Sequence, residues 1–205
     1  MIPVSPQPEP ANFHDVVRTP GLRWLKENKI DLERPIPPQK KLPPRWRHCL
    51  ADLHLAYGGI CAYLCVFIER CTGGSSVDHF IAKSQQPGLA YEWSNYRLAC
   101  TTMNARKRDY STVLDPFQLE PETFFLELVT GRIYPNPQLP AEYREQAQLT
   151  IERLRLDDAT CREMRRQNFT HYVELRGPAR NAQVETWLEH KYPFLWYEAN
   201  RQGLL

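Results

Sequence analysis

Val77-Asp78-His79-Phe80-Ile81-Ala82-Lys83-Ser84, followed by Glu92-Trp93-Ser94-Asn95-Tyr96-Arg97-Leu98-Ala99-Cys100 and then by Met103-Asn104-Ala105-Arg106-Lys107, decides how the 205-residue chain is read. Ser76–Ile81 is a short β-forming segment that leaves the turn Thr72-Gly73-Gly74-Ser75. Before that turn, Ile60–Glu69 is a continuous apolar run of strand length, rich in β-formers. A helical stretch lies near Asn104. Two strands about a glycine turn and then a helix predict a β–β–α unit, and the chain as a whole reads as α+β.

Outward from this unit, the N-terminal side is dominated by proline. Ten of the eighteen prolines fall within the first 44 residues, which forbids a long helix or a central strand there. Between the proline clusters, Asp15 to Lys29 carries Val16, Val17, Leu22, Trp24 and Leu25, enough apolar weight for a short helix that docks on a core. Residues 1–45 therefore read as an extended arm lying over the domain, with a proline-rich ligand for a partner as the competing reading. Trp46, Cys49, Leu50, Leu53 and Tyr57 then form an amphipathic helical stripe that Gly58-Gly59 stops. On the C-terminal side, Phe124–Val129 and Arg132–Tyr134 around Thr130-Gly131 read as a hairpin. Tyr143, Ala147, Ile151 and Leu154 share one helix face, and Asp157 or Asp158 caps a following helix. Two last helices are expected near Ala182–His190 and Pro193–Gln202. The expected division is an arm at 1–45, a core at 46–120, and a hairpin plus helices at 121–205.

The central stretch holds groups suited to phosphodiester hydrolysis, which needs a nucleophilic water, a base, and a cation to neutralise charge on the phosphate and leaving oxygen. His79 titrates near neutrality in its unperturbed state and can be the base. Asp78 supplies a carboxylate and Asn104 an amide oxygen, and with waters and phosphate the two can hold Mg²⁺ or Mn²⁺. Asn95, sixteen residues after His79, is placed to pin the intervening loop and orient the histidine. Lys83, Arg97, Arg106, Lys107 and Arg108 form a basic set suited to phosphate contacts, which position a nucleic acid without reading its sequence. Each of these residues alone has an ordinary structural explanation: a surface Asp-His pair, a turn asparagine, a solvated helix face.

The order Asp78-His79, Asn95, then Asn104 opening Asn-x-x-Lys resembles the HNH endonuclease family, the ββα-metal nucleases. It is most similar to the variants whose last metal ligand is asparagine. The resemblance spans roughly Cys61 to Asp109. It implies a ββα-metal core with His79 as general base, one divalent metal on Asp78 and Asn104, and Asn95 fixing the loop. Many members carry proline three residues after the histidine, where this chain has Ala82. The layout of a proline-rich arm, a nuclease core and C-terminal helices is similar to small HNH proteins of bacterial anti-phage defence systems. That implies DNA as substrate and an ATPase partner. The alternatives are RNA cleavage, or a non-catalytic nucleic-acid-binding or assembly subunit that keeps the scaffold.

Composition limits the remaining classes. At 24.1 kDa a fold buries roughly 70% of its unfolded surface, so a core is available without metal or disulfide support. Apolar residues are 42% and charged residues 24%, ordinary values that argue against disorder. No run approaches the ~18 apolar residues of a membrane span, and Met1–Pro10 lacks the features of a signal peptide. A cytoplasmic protein is expected, its six cysteines reduced. Cys61, Cys65 and Cys100 with Met103 imitate two zinc knuckles, but methionine is a poor zinc ligand and structural zinc is not expected. A net charge of +2 permits a nucleic-acid partner without arguing for one.

Overall fold

The computed structural model describes residues 1–177 and 181–205. Among them are seven α-helices and two small antiparallel sheets, an α+β protein as expected. The chain divides into two compact units, one of residues 5–61 and 68–111, the other of residues 1–4, 62–67 and 112–205. This differs from the expected division in two ways. Residues 5–45 of the proline-rich arm share a unit with the central strands, and residues 1–4, 62–67 and 112–120 group with the C-terminal helices.

The first unit holds α1 (Thr19–Glu27), α2 (Leu50–Ala56), the antiparallel pair β1 (Ser75–His79) and β2 (Tyr96–Cys100), and α3 (Thr101–Lys107). The arm is core here. Phe13, Val17 and Leu25 are buried, and the Phe13 ring meets Trp93 and Tyr96 edge-on at 5.6 and 5.9 Å. The Trp93 indole N–H donates to the Gln7 carbonyl at 2.8 Å, and Arg18 bridges Glu9 and Glu92. A π-helical turn at His14–Arg18 runs straight into α1, and Pro20, which has no N–H to donate, sits just after that turn. Gly21 follows at a point where a Cβ would come within 2.2 Å of the Tyr91 ring. The stripe from Trp46 to Tyr57 is helical as expected, with a 3₁₀ turn at Arg45–Cys49 leading into α2. It ends at Gly58 and Gly59, both at positive φ, with the Gly59 N–H on the His54 carbonyl at 2.7 Å.

The β–β–α order is present, but its first strand is not Ile60–Glu69. That run is turn and irregular backbone, with Cys65 at φ 55°. Its apolar side chains are buried or half-buried, with isolated bridge residues at Ile60 and Phe67: residues 62–67 group with the second unit, and Ile68 donates its N–H to the Gly59 carbonyl. The strand partner of β1 is instead Tyr96–Cys100, in the register Val77 to Leu98, Asp78 to Arg97 and His79 to Tyr96.

In the second unit the hairpin β3 (Phe124–Glu127) and β4 (Arg132–Pro135) precedes α4 (Ala141–Leu154), α5 (Ala159–Arg176), α6 (Ala182–Lys191) and α7 (Pro193–Arg201). Asp158 caps α5, its carboxylate accepting the Cys161 N–H at 2.8 Å. Ala147, Ile151 and Leu154 bury the expected face of α4. Burying a leucine or isoleucine fully contributes about 1.5–3 kcal/mol. Gly131 turns the hairpin at φ 72°, where a Cβ would lie 2.1 Å from the Arg162 carbonyl oxygen.

Candidate active site

β1 ends at His79 and α3 follows β2 directly, so strand pairing brings Asp78, His79 and Asn104 to one place. All three line a cleft of about 340 Å³ together with Ala82, Lys83, Ser84, Arg108 and Asp109. Asp78 is 2% and His79 4% exposed.

The imidazole of His79 is held on several sides. Its Nε2 lies 3.0 Å from the Ala90 carbonyl, which can only accept, so Nε2 carries the proton and Nδ1 the lone pair. The Tyr96 hydroxyl donates to the same carbonyl at 2.8 Å. Trp46 and Tyr96 pack edge-on against the ring at 4.8 and 5.0 Å. Burial, with a smaller contribution from Lys83, lowers the imidazole pKa to about 3, and the hydrogen bond to Ala90 opposes that shift. The ring is therefore neutral throughout the physiological range.

Asn95 spans the loop between β1 and β2 as the sequence reading expects. Its Oδ1 accepts the Ile81 N–H at 2.8 Å, its Nδ2 donates to the carbonyls of Ile81 and Leu89 at 3.0 Å each, and its own carbonyl accepts from Phe80. The side chain thus fastens the segment just after His79 to the segment just before Ala90, the carbonyl that sets the histidine tautomer.

Asn104 donates through Nδ2 to the Ser76 hydroxyl at 3.1 Å and to the Val77 carbonyl at 3.2 Å. That fixes the amide orientation and reserves Oδ1 as an acceptor. One buried carboxylate and one oriented amide oxygen lining one cleft suit a hard divalent cation that keeps several waters, so Asp78 and Asn104 fit Mg²⁺ or Mn²⁺. Among the described residues, no three His, Cys, Asp or Glu side chains are grouped as metal ligands, so the amide oxygen is needed to complete such a site.

The basic set divides. Lys83 and Arg108 line the cleft, Lys83 half-buried with its ammonium 5.2 Å from the Trp46 ring, and Arg108 exposed at the end of α3. Burial lowers the Lys83 pKa, and Asp78 opposes the shift. Arg106 is half-buried on α3 and is not among the residues lining the cleft. Lys107 and Arg97 require correction as phosphate contacts. Lys107 is fully buried, its ammonium donating to the carbonyls of His79 at 3.0 Å and Phe80 at 2.7 Å and lying 3.6 Å from the Asp78 carboxylate. Arg97 is 4% exposed and donates to the Ser94 and Tyr96 carbonyls. Charge in the sequence marks both as surface cations; the β–β–α packing turns both inward.

Two neighbours escaped the sequence reading. Asp109, directly after the basic run Arg106-Lys107-Arg108, lines the cleft with Asn104. Trp46, more than thirty residues before His79, gives no local signal of its place against the imidazole. No helix among the described residues is long and apolar enough to cross a membrane. No protein-family model matches the chain, and no curated protein matches it in sequence.

Proposed function

We propose that the chain is a metal-dependent HNH-type endonuclease that hydrolyses phosphodiester bonds, with DNA as the favoured substrate. The observation that carries the reading is that Asp78, His79 and Asn104 line one cleft at a β–β–α unit while Asn95 ties the connecting loop. His79 is the general base: its Nδ1 lone pair takes the proton of an attacking water, and the Nε2–H bond to Ala90 keeps the ring in that tautomer. A phosphate anion entering the cleft raises the proton affinity of the neutral ring as the proton is transferred. Lys107 holds the His79 and Phe80 carbonyls and so anchors the end of β1, while Lys83 and Arg108 offer positive charge to phosphate oxygens. A divalent cation on Asp78 and Asn104 would neutralise charge on the phosphate and the leaving oxygen.

Recruitment by an ATPase partner belongs to the same proposal. With Arg97 and Lys107 buried, Lys83, Arg106 and Arg108 remain for phosphate contacts, and each contact adds about −0.9 to the salt slope of duplex binding. So few contacts make autonomous binding weak near 150 mM salt, a concentration on the order of the physiological one. The test incubates purified protein with plasmid DNA and with RNA, with and without Mg²⁺ or Mn²⁺. Metal-dependent plasmid cleavage is expected. Cleavage of RNA alone reassigns the substrate, and binding without cleavage under any metal replaces the nuclease reading with that of a nucleic-acid-binding subunit.

A further inference from the structure

Cys61 and Cys100 lie 39 residues apart in the chain and side by side in the first unit. Cys61 is fully buried just after the Gly58-Gly59 turn, and its Sγ accepts the backbone N–H of Cys100 at 3.3 Å. Cys100 is half-buried at the end of β2, opposite Ser75. An amide nitrogen is only three covalent bonds from the sulfur of its own residue, so the two sulfurs occupy one small space. All six cysteines are thiols, yet their surroundings differ sharply. The hydrogen bond from Cys61 holds the Cys100 thiol down to about 6 against the opposing effect of burial, helped by the backbone N–H groups of Met103 and Thr102 and by Arg106. Burial pushes the Cys49 thiol up to about 12. These contacts favour the Cys100 thiolate, the nucleophilic form, with a second thiol at hand.

We infer that Cys61 and Cys100 form a peroxide-reactive dithiol site that closes to an intramolecular disulfide. In the first step the Cys100 thiolate sulfur attacks one oxygen of a hydroperoxide. The O–O bond breaks, Cys100 becomes the sulfenic acid, and the leaving oxygen departs as hydroxide or alkoxide and takes up a proton. In the second step Cys61 gives up its proton and its sulfur attacks the sulfenic sulfur. The S–O bond breaks, the S–S bond forms, and the departing hydroxide takes the Cys61 proton as water. With hydrogen peroxide, two thiols and one peroxide become one disulfide and two waters, the thiols oxidised and the peroxide reduced. The bond ties residue 61 to the junction of β2 and α3, one helical turn before Asn104. None of this depends on the chain being a nuclease.

The experiment uses the reduced full chain in a chelating buffer, exposed to hydrogen peroxide, alkylated, and mapped by mass spectrometry after non-reducing proteolysis. A cross-linked peptide pair carrying Cys61 and Cys100 is expected, with loss of those two of the six thiols. Before oxidation, Cys100 is expected to alkylate at neutral pH more than about tenfold faster than Cys49. In C61S, dimedone should trap a sulfenic acid at Cys100; the wild-type map decides should that variant fail to fold. The inference is overturned if peroxide consumes exposed Cys71 while Cys61 and Cys100 both remain alkylatable, or if Cys100 oxidises without bonding Cys61.

Discussion

Asn95→Ala removes the side chain that joins the two halves of the loop around His79, and its cost can be worked from three hydrogen bonds. The bonds to Ile81 N, Ile81 O and Leu89 O are 2.8, 3.0 and 3.0 Å long, and Asn95 is 5% exposed. A neutral hydrogen bond contributes about 1 kcal/mol net, and a buried backbone group left unpaired costs about 1–3 kcal/mol. Water reaching the truncated site offsets part of this, so the expected loss is about 3 kcal/mol in urea unfolding. For a chain of this size that lowers the melting temperature by roughly 6–12 °C. Asn95→Asp keeps the acceptor for Ile81 N and loses both donors, so it should also be destabilised, since it aims a carboxylate at two carbonyls. A loss below about 0.5 kcal/mol for Asn95→Ala, typical of a surface substitution, would show that the loop does not depend on this side chain.

Three further expectations follow from the same unit and its neighbour. His79 has its pKa lowered from 6.5 to about 3, so below pH 6.5 the unfolded chain binds a proton that the folded chain refuses, and stability falls with pH across that window. The loss attributable to His79 between pH 7.5 and 5.0 is about 2 kcal/mol, read as the difference in urea stability between wild type and His79→Gln in chelating buffer; parallel curves would refute it. Lys107→Met removes the ammonium that lies beside the buried Asp78 carboxylate and holds two carbonyls, and removing one partner of a buried pair costs about 3–5 kcal/mol; unfolding near the wild-type midpoint would contradict the anchoring role. Gly131→Ala meets both a φ of 72° and a backbone oxygen 2.1 Å from the new Cβ, and should destabilise by more than about 2 kcal/mol in the same assay, with a neutral effect refuting the close approach.

The parts of this fold that were legible in the sequence are those whose signals are local. The stripe Tyr143, Ala147, Ile151 and Leu154 marks α4 because one helix face is buried, and Asp158 marks the start of α5 because four unpaired N–H groups there need an acceptor. Gly131 between two β-forming runs marks the hairpin. Ile60–Glu69 misleads because a continuous apolar run reports burial, not conformation: Cys61, Ala62, Tyr63, Cys65 and Ile68 are all buried, but in turn and irregular backbone. Tyr96–Cys100 is a strand hidden among motif residues, with Arg97 at a position that would read as solvent-facing. Asp78, His79 and Asn104 stand out by residue type and line one cleft, and Asn95 bonds the loop beside them. The inward turn of Lys107 and Arg97 was not legible, since a cation that ends on backbone carbonyls has the same sequence signature as one that ends in water.

In the proposed reaction His79 is the base of a metal-dependent phosphodiester hydrolysis. The most direct measurement is the initial rate of plasmid nicking by wild type and His79→Ala, each with Mg²⁺, with Mn²⁺ and with EDTA, at matched folded fraction and matched DNA occupancy. Cleavage by the wild type is expected in the presence of metal, none in EDTA, and a drop of about 10²–10⁴-fold in His79→Ala with DNA binding retained. Cleavage by His79→Ala at the wild-type rate, or wild-type cleavage that persists in EDTA, would contradict that reaction.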